Sequence, residues 1–305
     1  MNRLRKADAD ELAEELSKLT PVCELQQLHV YTGFKTGGKA SFMLFPEDTG
    51  TLISVVSLLQ KNRAPYYILG GGTNVLARDE GYNGIVVSTL KAAEINVEDD
   101  IVICGAGARL EDICEIACEH ELTGMEFAYG IPGTVGGAVI MNAGAYGGEI
   151  KDIVELVGAI AEDGKELHFD NESCRFDYRY SRFQDEKDSV VFQVKIRLRK
   201  GCKTEIRELM NALVERRNGK QPLEYPSCGS FFKRPQGAFA AKLIEECGMK
   251  GFRVGGAMVS EKHAGFIINY DNASSKDILE LAETVQKRVF ETTGVKLTPE
   301  VRILK

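Results

Sequence analysis

The chain has 305 residues, 44% of them hydrophobic, a length expected to give two domains or one large bilobal one. Its net charge of −7, from 38 Lys and Arg against 45 Asp and Glu, argues against a general nucleic-acid or acidic-membrane surface and leaves room for local basic sites facing an anionic substrate. No apolar stretch reaches the roughly 18 residues a membrane helix needs, and the charged opening Asn2-Arg3-Leu4-Arg5-Lys6 has no apolar signal core behind it, so no membrane insertion and a cytoplasmic location are expected.

Residues 7–19 carry Leu12, Leu16 and Leu19 among charges, an amphipathic helix ending before Pro21 and expected to pack on the outside. Pro46-Glu47-Asp48 opens a second helix with Leu52, Val55, Val56 and Leu59 on one face, ending near Asn62 and feeding the apolar run Tyr66-Tyr67-Ile68-Leu69. That run meets Gly70-Gly71-Gly72-Thr73-Asn74, a glycine turn at a strand end with two hydrogen-bonding side chains beside it. Gly84 to Ser88 adds a strand. Ile101 to Cys104 leads into Gly105-Ala106-Gly107-Ala108-Arg109-Leu110, the nearest approach to a G-x-G-x-x-G fingerprint, but bulky Leu110 replaces the third glycine. The segment therefore reads as a tight turn into a helix from Arg109 to His120.

Residues 129–148 hold seven glycines, one proline and few charges. Glycine loses the most conformational entropy on ordering, so the run is expected to be neither a helix interior nor an ordinary strand. Successive unobstructed backbone N–H groups form nests that hold phosphate oxygens, and a bound pyrophosphate is one explanation. A loop that simply needs positive φ is the other. With the Gly70 cluster, two such loops could clasp one dinucleotide.

Beyond the run, Val154 to Ala161 and Glu166 to Phe169 flank Glu162-Asp163-Gly164-Lys165, a hairpin signal, and Phe192, Val194, Ile196 and Leu198 alternate with polar residues as a half-buried strand. Near Gly201 strand periodicity gives way to helix periodicity. Ile206, Leu209, Met210, Leu213 and Val214 form one helical stripe; Ile278, Leu281, Val285 and Val289 form another, closed by Gly294. Between them lie a helix from Ala240 to Cys247 stopped by Gly248 and a strand from Gly265 to Tyr270, and the last strand is predicted over Val295 to Leu304. The eight cysteines show no C-x-x-C pair, and small reduced thiols are favoured over a metal site. His29, His120 and His168 are isolated.

Tyr67-Ile-Leu-Gly-Gly-Gly-Thr-Asn-Val-Leu76, Gly130-Ile-Pro-Gly-Thr-Val-Gly-Gly-Ala138 and Asn142-Ala-Gly-Ala-Tyr-Gly147 resemble the FAD-binding segments of the UDP-N-acetylenolpyruvoylglucosamine reductase (MurB) family. The resemblance continues in order through Asp177-Tyr-Arg-Tyr-Ser181, Cys228-Gly-Ser-Phe-Phe-Lys-Arg-Pro235, Gly255-Gly-Ala257, Lys262-His-Ala264 and Pro299-Glu-Val-Arg302. It implies a mixed α+β protein: a helical extension over 1–30, a FAD-binding fold of the vanillyl-alcohol-oxidase type over 31–200 in lobes of about 31–90 and 91–200, and an α/β substrate-binding domain over 201–305. Periodicity alone gives only mixed α/β.

The implied chemistry takes hydride from NADPH to non-covalent FAD and then to UDP-N-acetylglucosamine enolpyruvate, giving UDP-N-acetylmuramate, a peptidoglycan precursor. No histidine or cysteine in either glycine loop could tether the flavin covalently. Gly70, Gly71, Gly72, Thr73, Asn74, Gly130, Thr134, Gly136, Gly137, Asn142 and Gly144 are the implied cofactor residues. Ser230 is the implied proton donor, Arg179 the partner of the substrate carboxylate or developing enolate, and Glu300 an assisting group. Taken without the resemblance, these three are a turn serine, a surface arginine and a solvated strand-end charge. Lys233 and Arg217 are the candidates for the pyrophosphate, with solvated charges as the alternative. No metal site is expected, and a monomer or weak oligomer is.

Two departures stand out against the family pattern. Gly37-Gly38-Lys39-Ala40 stands where Gly-Gly-Pro-Ala is usual, and no insertion between the Asp177 motif and Ser230 could form the mobile tyrosine loop of one subclass. The loop-less type II subclass is implied. Other readings are a FAD enzyme of the same fold acting on a different substrate, or a nucleotide-binding protein without catalysis.

Overall fold

A computed structural model describes residues 6–186 and 188–305. The chain divides by its contacts into two compact units that are not contiguous in sequence: residues 1–24, 42–71 and 84–215 form the first, and 25–41, 72–83 and 216–305 the second. The change of periodicity at Gly201 is real, but residues 201–215 group with the first unit rather than with a C-terminal lobe.

In the first unit, helix α1 (Lys6–Leu19) presents Leu12 and Leu16 to the buried face of α2 (Thr49–Lys61), where Leu52, Val55, Val56 and Leu59 lie. Both leucines are core residues, at 4% and 3% exposure, while residues 13–15 and 17–19 stay exposed, so the helix packs on the outside of this unit through one face. Asp48 caps α2 by accepting from the Thr51 N–H at 2.7 Å, and the helix stops at Asn62. Strand Tyr66–Leu69 pairs in parallel with Ile85 to Ser88. A five-stranded antiparallel sheet follows, in the spatial order Glu166–Asp170, Val154–Ile160, Val190–Arg197, Ile101–Gly105, Ile95–Glu98. The hairpin at Asp163-Gly164 joins its first two strands, with Gly164 at φ 81°. Helices α3 (Leu110–Glu119) and α4 (Val135–Met141) share a core with the sheet. Lys203–Lys220 forms α5, which buries Ile206 and Met210 in that core while Leu209 stays exposed.

Helix α4 corrects the expectation for the glycine run, since Gly136 and Gly137 lie inside it. The compensation is packing: a Cβ on Gly136 would lie 2.9 Å from the Ala106 Cβ and 3.0 Å from its carbonyl oxygen. The turn that starts α3 is glycine-rich for the same reason, because a Cβ on Gly107 would fall 1.8 Å from the Thr89 carbonyl oxygen. Gly105 and Gly107 are structural, as their spacing suggests.

The second unit has its own antiparallel sheet, ordered Ser227–Ser230, Phe266–Asn269, Ala257–Val259, Arg253–Val254. Its core combines α6 (Ala240–Glu246) and α7 (Ser275–Thr293) with Phe34, Leu76, Phe231 and Val301. Helix α7 begins at a reciprocal Ser274–Asp277 capping box and ends at Gly294 in the left-handed conformation. Asp79 braces the same N-terminus, accepting from the Ser275 N–H at 2.9 Å and hydroxyl at 2.8 Å. The predicted last strand shrinks to Arg302–Leu304, paired in parallel with Val75–Ala77, and residues 295–301 are irregular. Gly37 and Gly38 are required in this unit, where Cβ atoms would lie 2.5 Å from the Ala77 Cβ and 2.3 Å from the Asp79 carbonyl oxygen.

Candidate active site

The first unit brings the two glycine clusters together. A Cβ on Gly70 would lie 2.6 Å from the Thr134 hydroxyl oxygen, and one on Gly71 3.0 Å from the Gly133 Cα. Only glycine permits two backbones to approach this closely. Thr134 precedes α4, is 2% exposed, and its hydroxyl oxygen finds no hydrogen-bond partner among the described residues. An uncompensated buried hydroxyl costs about 1–3 kcal/mol, so this one fits a ligand's hydrogen bond. Bare glycine backbone beside an unsatisfied hydroxyl suits the phosphate and ring edges of a flavin dinucleotide.

The head of the second loop is fixed from outside. The Tyr129 hydroxyl donates to Glu115 at 2.7 Å, and Arg207 grips the same carboxylate through two hydrogen bonds at 2.7 and 2.6 Å. The arginine bonds hold the Glu115 carboxyl below its usual range, and that carboxylate pushes the Tyr129 hydroxyl up to about 12. This brace was not visible in sequence, because its three members are scattered over two helices and a loop.

Asn142 ends α4 in the left-handed region, at φ 40°, and is fully buried. Its amide donates to Glu149 at 3.1 Å and to the Asp177 carbonyl at 3.0 Å, while its oxygen accepts from the Lys151 N–H at 3.0 Å. The side chain is thereby committed to the fold. Gly144 pairs with Glu149 in a short hairpin turning through Tyr146 and Gly147. Arg179 occupies the third position of the turn Asp177-Tyr178-Arg179-Tyr180 at φ 53°, and its guanidinium donates to the carbonyls of Gly144 at 3.1 Å and Asn142 at 3.4 Å. It lines a cavity of about 440 Å³ with Tyr146, Lys151 and Tyr178.

The second unit gathers the remaining candidates. Gly229 at φ 73° introduces a bulge into strand Ser227–Ser230, and the register shift falls between Ser227 and Ser230. Bulges re-aim side chains, and Ser230 is exposed beside this one. Glu300 lies on the adjoining segment: its N–H donates to the Phe231 carbonyl at 2.8 Å, and Lys233 N–H donates to the Thr298 carbonyl at 2.8 Å. Asn74 joins the same segment through its amide, 3.2 Å from the Glu300 carbonyl oxygen. Gly72 is indispensable where it stands, at φ 65° with a Cβ position 1.9 Å from the Tyr31 carbonyl oxygen. Thr73 is half-buried beside it. Burial pushes the Cys228 thiol up to about 12, which removes it as a nucleophile beside Ser230. Arg217 is 7% exposed near the end of α5, and Lys233 is half-buried. His263 accepts from the Gly265 N–H at 3.1 Å, and burial lowers its affinity for a second proton, in keeping with a structural histidine.

Comparison with known proteins adds an independent observation. Residues 40–170 match the FAD binding domain family, and residues 221–304 the C-terminal domain of UDP-N-acetylenolpyruvoylglucosamine reductase. The chain is 48% identical over 274 residues to the UDP-N-acetylenolpyruvoylglucosamine reductase of Caldanaerobacter subterraneus subsp. tengcongensis, covering 90% of each chain. It is 46% identical over 279 residues to that of Staphylococcus aureus, covering 92% of this chain and 91% of the relative. The crystal structure of the reductase from Thermus caldophilus aligns with a TM-score of 0.78 at 33% identity, over 94% of this chain and 99% of that one.

Proposed function

The chain belongs to the UDP-N-acetylenolpyruvoylglucosamine reductase family, and on that premise we propose that it reduces UDP-N-acetylglucosamine enolpyruvate to UDP-N-acetylmuramate with NADPH as hydride source. The observation that carries this reading is the pairing of the Ser230 and Glu300 segments through the Glu300 N–H and the Phe231 carbonyl, within a chain whose Gly70 and Thr134 loops fit FAD. Bound FAD would accept hydride from NADPH and deliver it to the terminal carbon of the enol ether.

The protein's own part follows from what that transfer leaves behind. Hydride addition places negative charge on the neighbouring carbon and its carboxylate. Arg179 offers a planar fork of donors to such a group. Ser230 supplies the proton to the carbanion-like carbon, a role open to a poor acid only because that carbon is strongly basic. Glu300 assists at the same carbon. Lys233 and Arg217 would take the pyrophosphate, Gly70 to Asn74 with Gly130, Gly136, Gly137, Gly144 and the backbone of Asn142 would hold the cofactor, and the Thr134 hydroxyl would supply it a hydrogen bond.

The segment from Asp177 to Ser230 is accounted for by short elements and α5, which supports the loop-less subclass. Among the described residues no helix is long and apolar enough to cross a membrane. The decisive experiment is an anaerobic titration of the visible spectrum. Bleaching by NADPH followed by recovery of the yellow colour on adding the enolpyruvyl substrate is expected. Bleaching without recovery assigns the protein a different substrate, and failure to bind added FAD defeats the reading of both loops.

A further inference from the structure

We propose that Gln184 is a positioning residue for Arg179, acting by locking the turn that carries the arginine onto the C-terminal end of α4. The proposal rests on the reading above, in which Arg179 meets the substrate.

Arg179 holds a left-handed backbone conformation, at φ 53°, that residues other than Gly, Asn or Asp seldom adopt. Such a conformation persists only where its surroundings over-determine it. Two amides do so here, one at each side of the turn. Asn142 donates to the Asp177 carbonyl at 3.0 Å, and Gln184 donates to the Arg179 carbonyl at 2.9 Å. The same Gln184 nitrogen also donates to the Ile140 carbonyl at 2.7 Å, so one carboxamide bridges the turn and α4. Ser181 adds a hydroxyl bond to that Ile140 carbonyl at 2.9 Å.

The consequence is geometric. The guanidinium is already aimed at the Asn142 and Gly144 carbonyls, the segment that leaves α4. The backbone of Arg179 and the carbonyls that orient its side chain are therefore tied to one frame. Without the Gln184 bridge the turn can relax to negative φ, which swings the side chain away from that frame. A carboxylate fork tolerates little misplacement, and a shift of about 1 Å costs about 10²-fold in rate.

The test uses the FAD-loaded protein and its two half-reactions followed separately. Gln184→Met keeps the side-chain length and removes the donor; it is expected to leave flavin content and reduction by NADPH within about twofold of wild type and to slow reoxidation by the enolpyruvyl substrate about 10²-fold. Gln184→Lys, whose ammonium can donate to both carbonyls, is expected to restore most of that loss. In an Arg179→Ala background, Gln184→Met should cost nothing further, since it acts through the arginine. Equal slowing of both half-reactions, an additive loss in the double variant, or no rescue by lysine would overturn the proposal. Wild-type flavin that the enolpyruvyl substrate fails to reoxidise would defeat the parent reading, a result separable from any effect of Gln184.

Discussion

The side-chain amide of Asn74 lies 3.2 Å from the backbone carbonyl oxygen of Glu300, joining a residue expected at the cofactor to one expected in catalysis. The Asn74 carbonyl in turn accepts from the Arg302 N–H at 2.9 Å. The loop is thus tied to the last strand through both the side chain and the backbone of Asn74. Asn74→Ala should cost about 1 kcal/mol in urea denaturation and should slow the substrate half-reaction several-fold in flavin-saturated protein. A loss confined to FAD affinity would separate the two roles.

Ser230→Ala tests the proton donor. Reduction of the flavin by NADPH should be nearly unchanged, while reoxidation by the enolpyruvyl substrate should slow by several orders of magnitude, because only that step consumes the proton. Stopped-flow absorbance of each half-reaction gives both rates.

Thr134→Val tests the orphaned hydroxyl. Valine matches threonine in shape and has no polar group to leave unsatisfied, so the apo-protein should gain about 1 kcal/mol in thermal or chemical denaturation. FAD should bind about tenfold more weakly to the same variant, measured by fluorescence quenching. A variant that binds FAD like wild type places the hydroxyl outside the flavin site.

Two glycines with similar φ separate strain from space. Gly294 stands at φ 72° with open space around its Cβ position, and Gly294→Ala should cost about 1 kcal/mol. Gly72, at φ 65°, has the Tyr31 carbonyl oxygen 1.9 Å from its Cβ position. Gly72→Ala must move backbone as well, so its loss should be at least twice as large in denaturant titrations.

Asp277 predicts an acid-sensitive helix start. Backbone hydrogen bonding, chiefly from Ser274, holds its carboxyl below the usual carboxylate range. A lowered folded value means its stabilisation is complete above the unfolded value, near pH 4, and is lost as pH falls through the folded value. Asp277→Asn should therefore destabilise the protein at neutral pH and flatten the stability loss below about pH 4. Parallel acid-denaturation curves for the two proteins would contradict this.

Much of the local structure was legible in order. The stripe Ile278, Leu281, Val285 and Val289 with Gly294 behind it is a pattern of i to i+4 neighbours and a local stop, and α7 follows it. Asp48 before α2 and Asp163-Gly164 in the hairpin are equally local signals. Leu12 and Leu16 gave the helix but not its packing partner, since a stripe says which face is apolar and not what covers it. The expected strand over Val295 to Leu304 overreached because β propensity does not specify a pairing partner, and only Arg302 to Leu304 find one. Among the proposed site residues, Ser230, Arg179 and Glu300 stood out only through ordered motifs; Gln184 carries no signal at all, because an amide that bridges two carbonyls looks in sequence like any surface glutamine.

The sequence by itself determined the helices with clear stripes and caps, the glycine-dependent turns and the family, since these depend on residues near one another in the chain or on motifs in order. The tertiary structure decided which glycines serve close packing and which serve conformation. It put Gly136 inside a helix because Ala106 leaves no room for a Cβ, and it fastened Asn74 to Glu300 across 226 positions. It also set Arg179 on a strained turn held by Gln184 and Asn142. Each of these is a contact between distant segments, and no local preference encodes the distance of closest approach between two backbones.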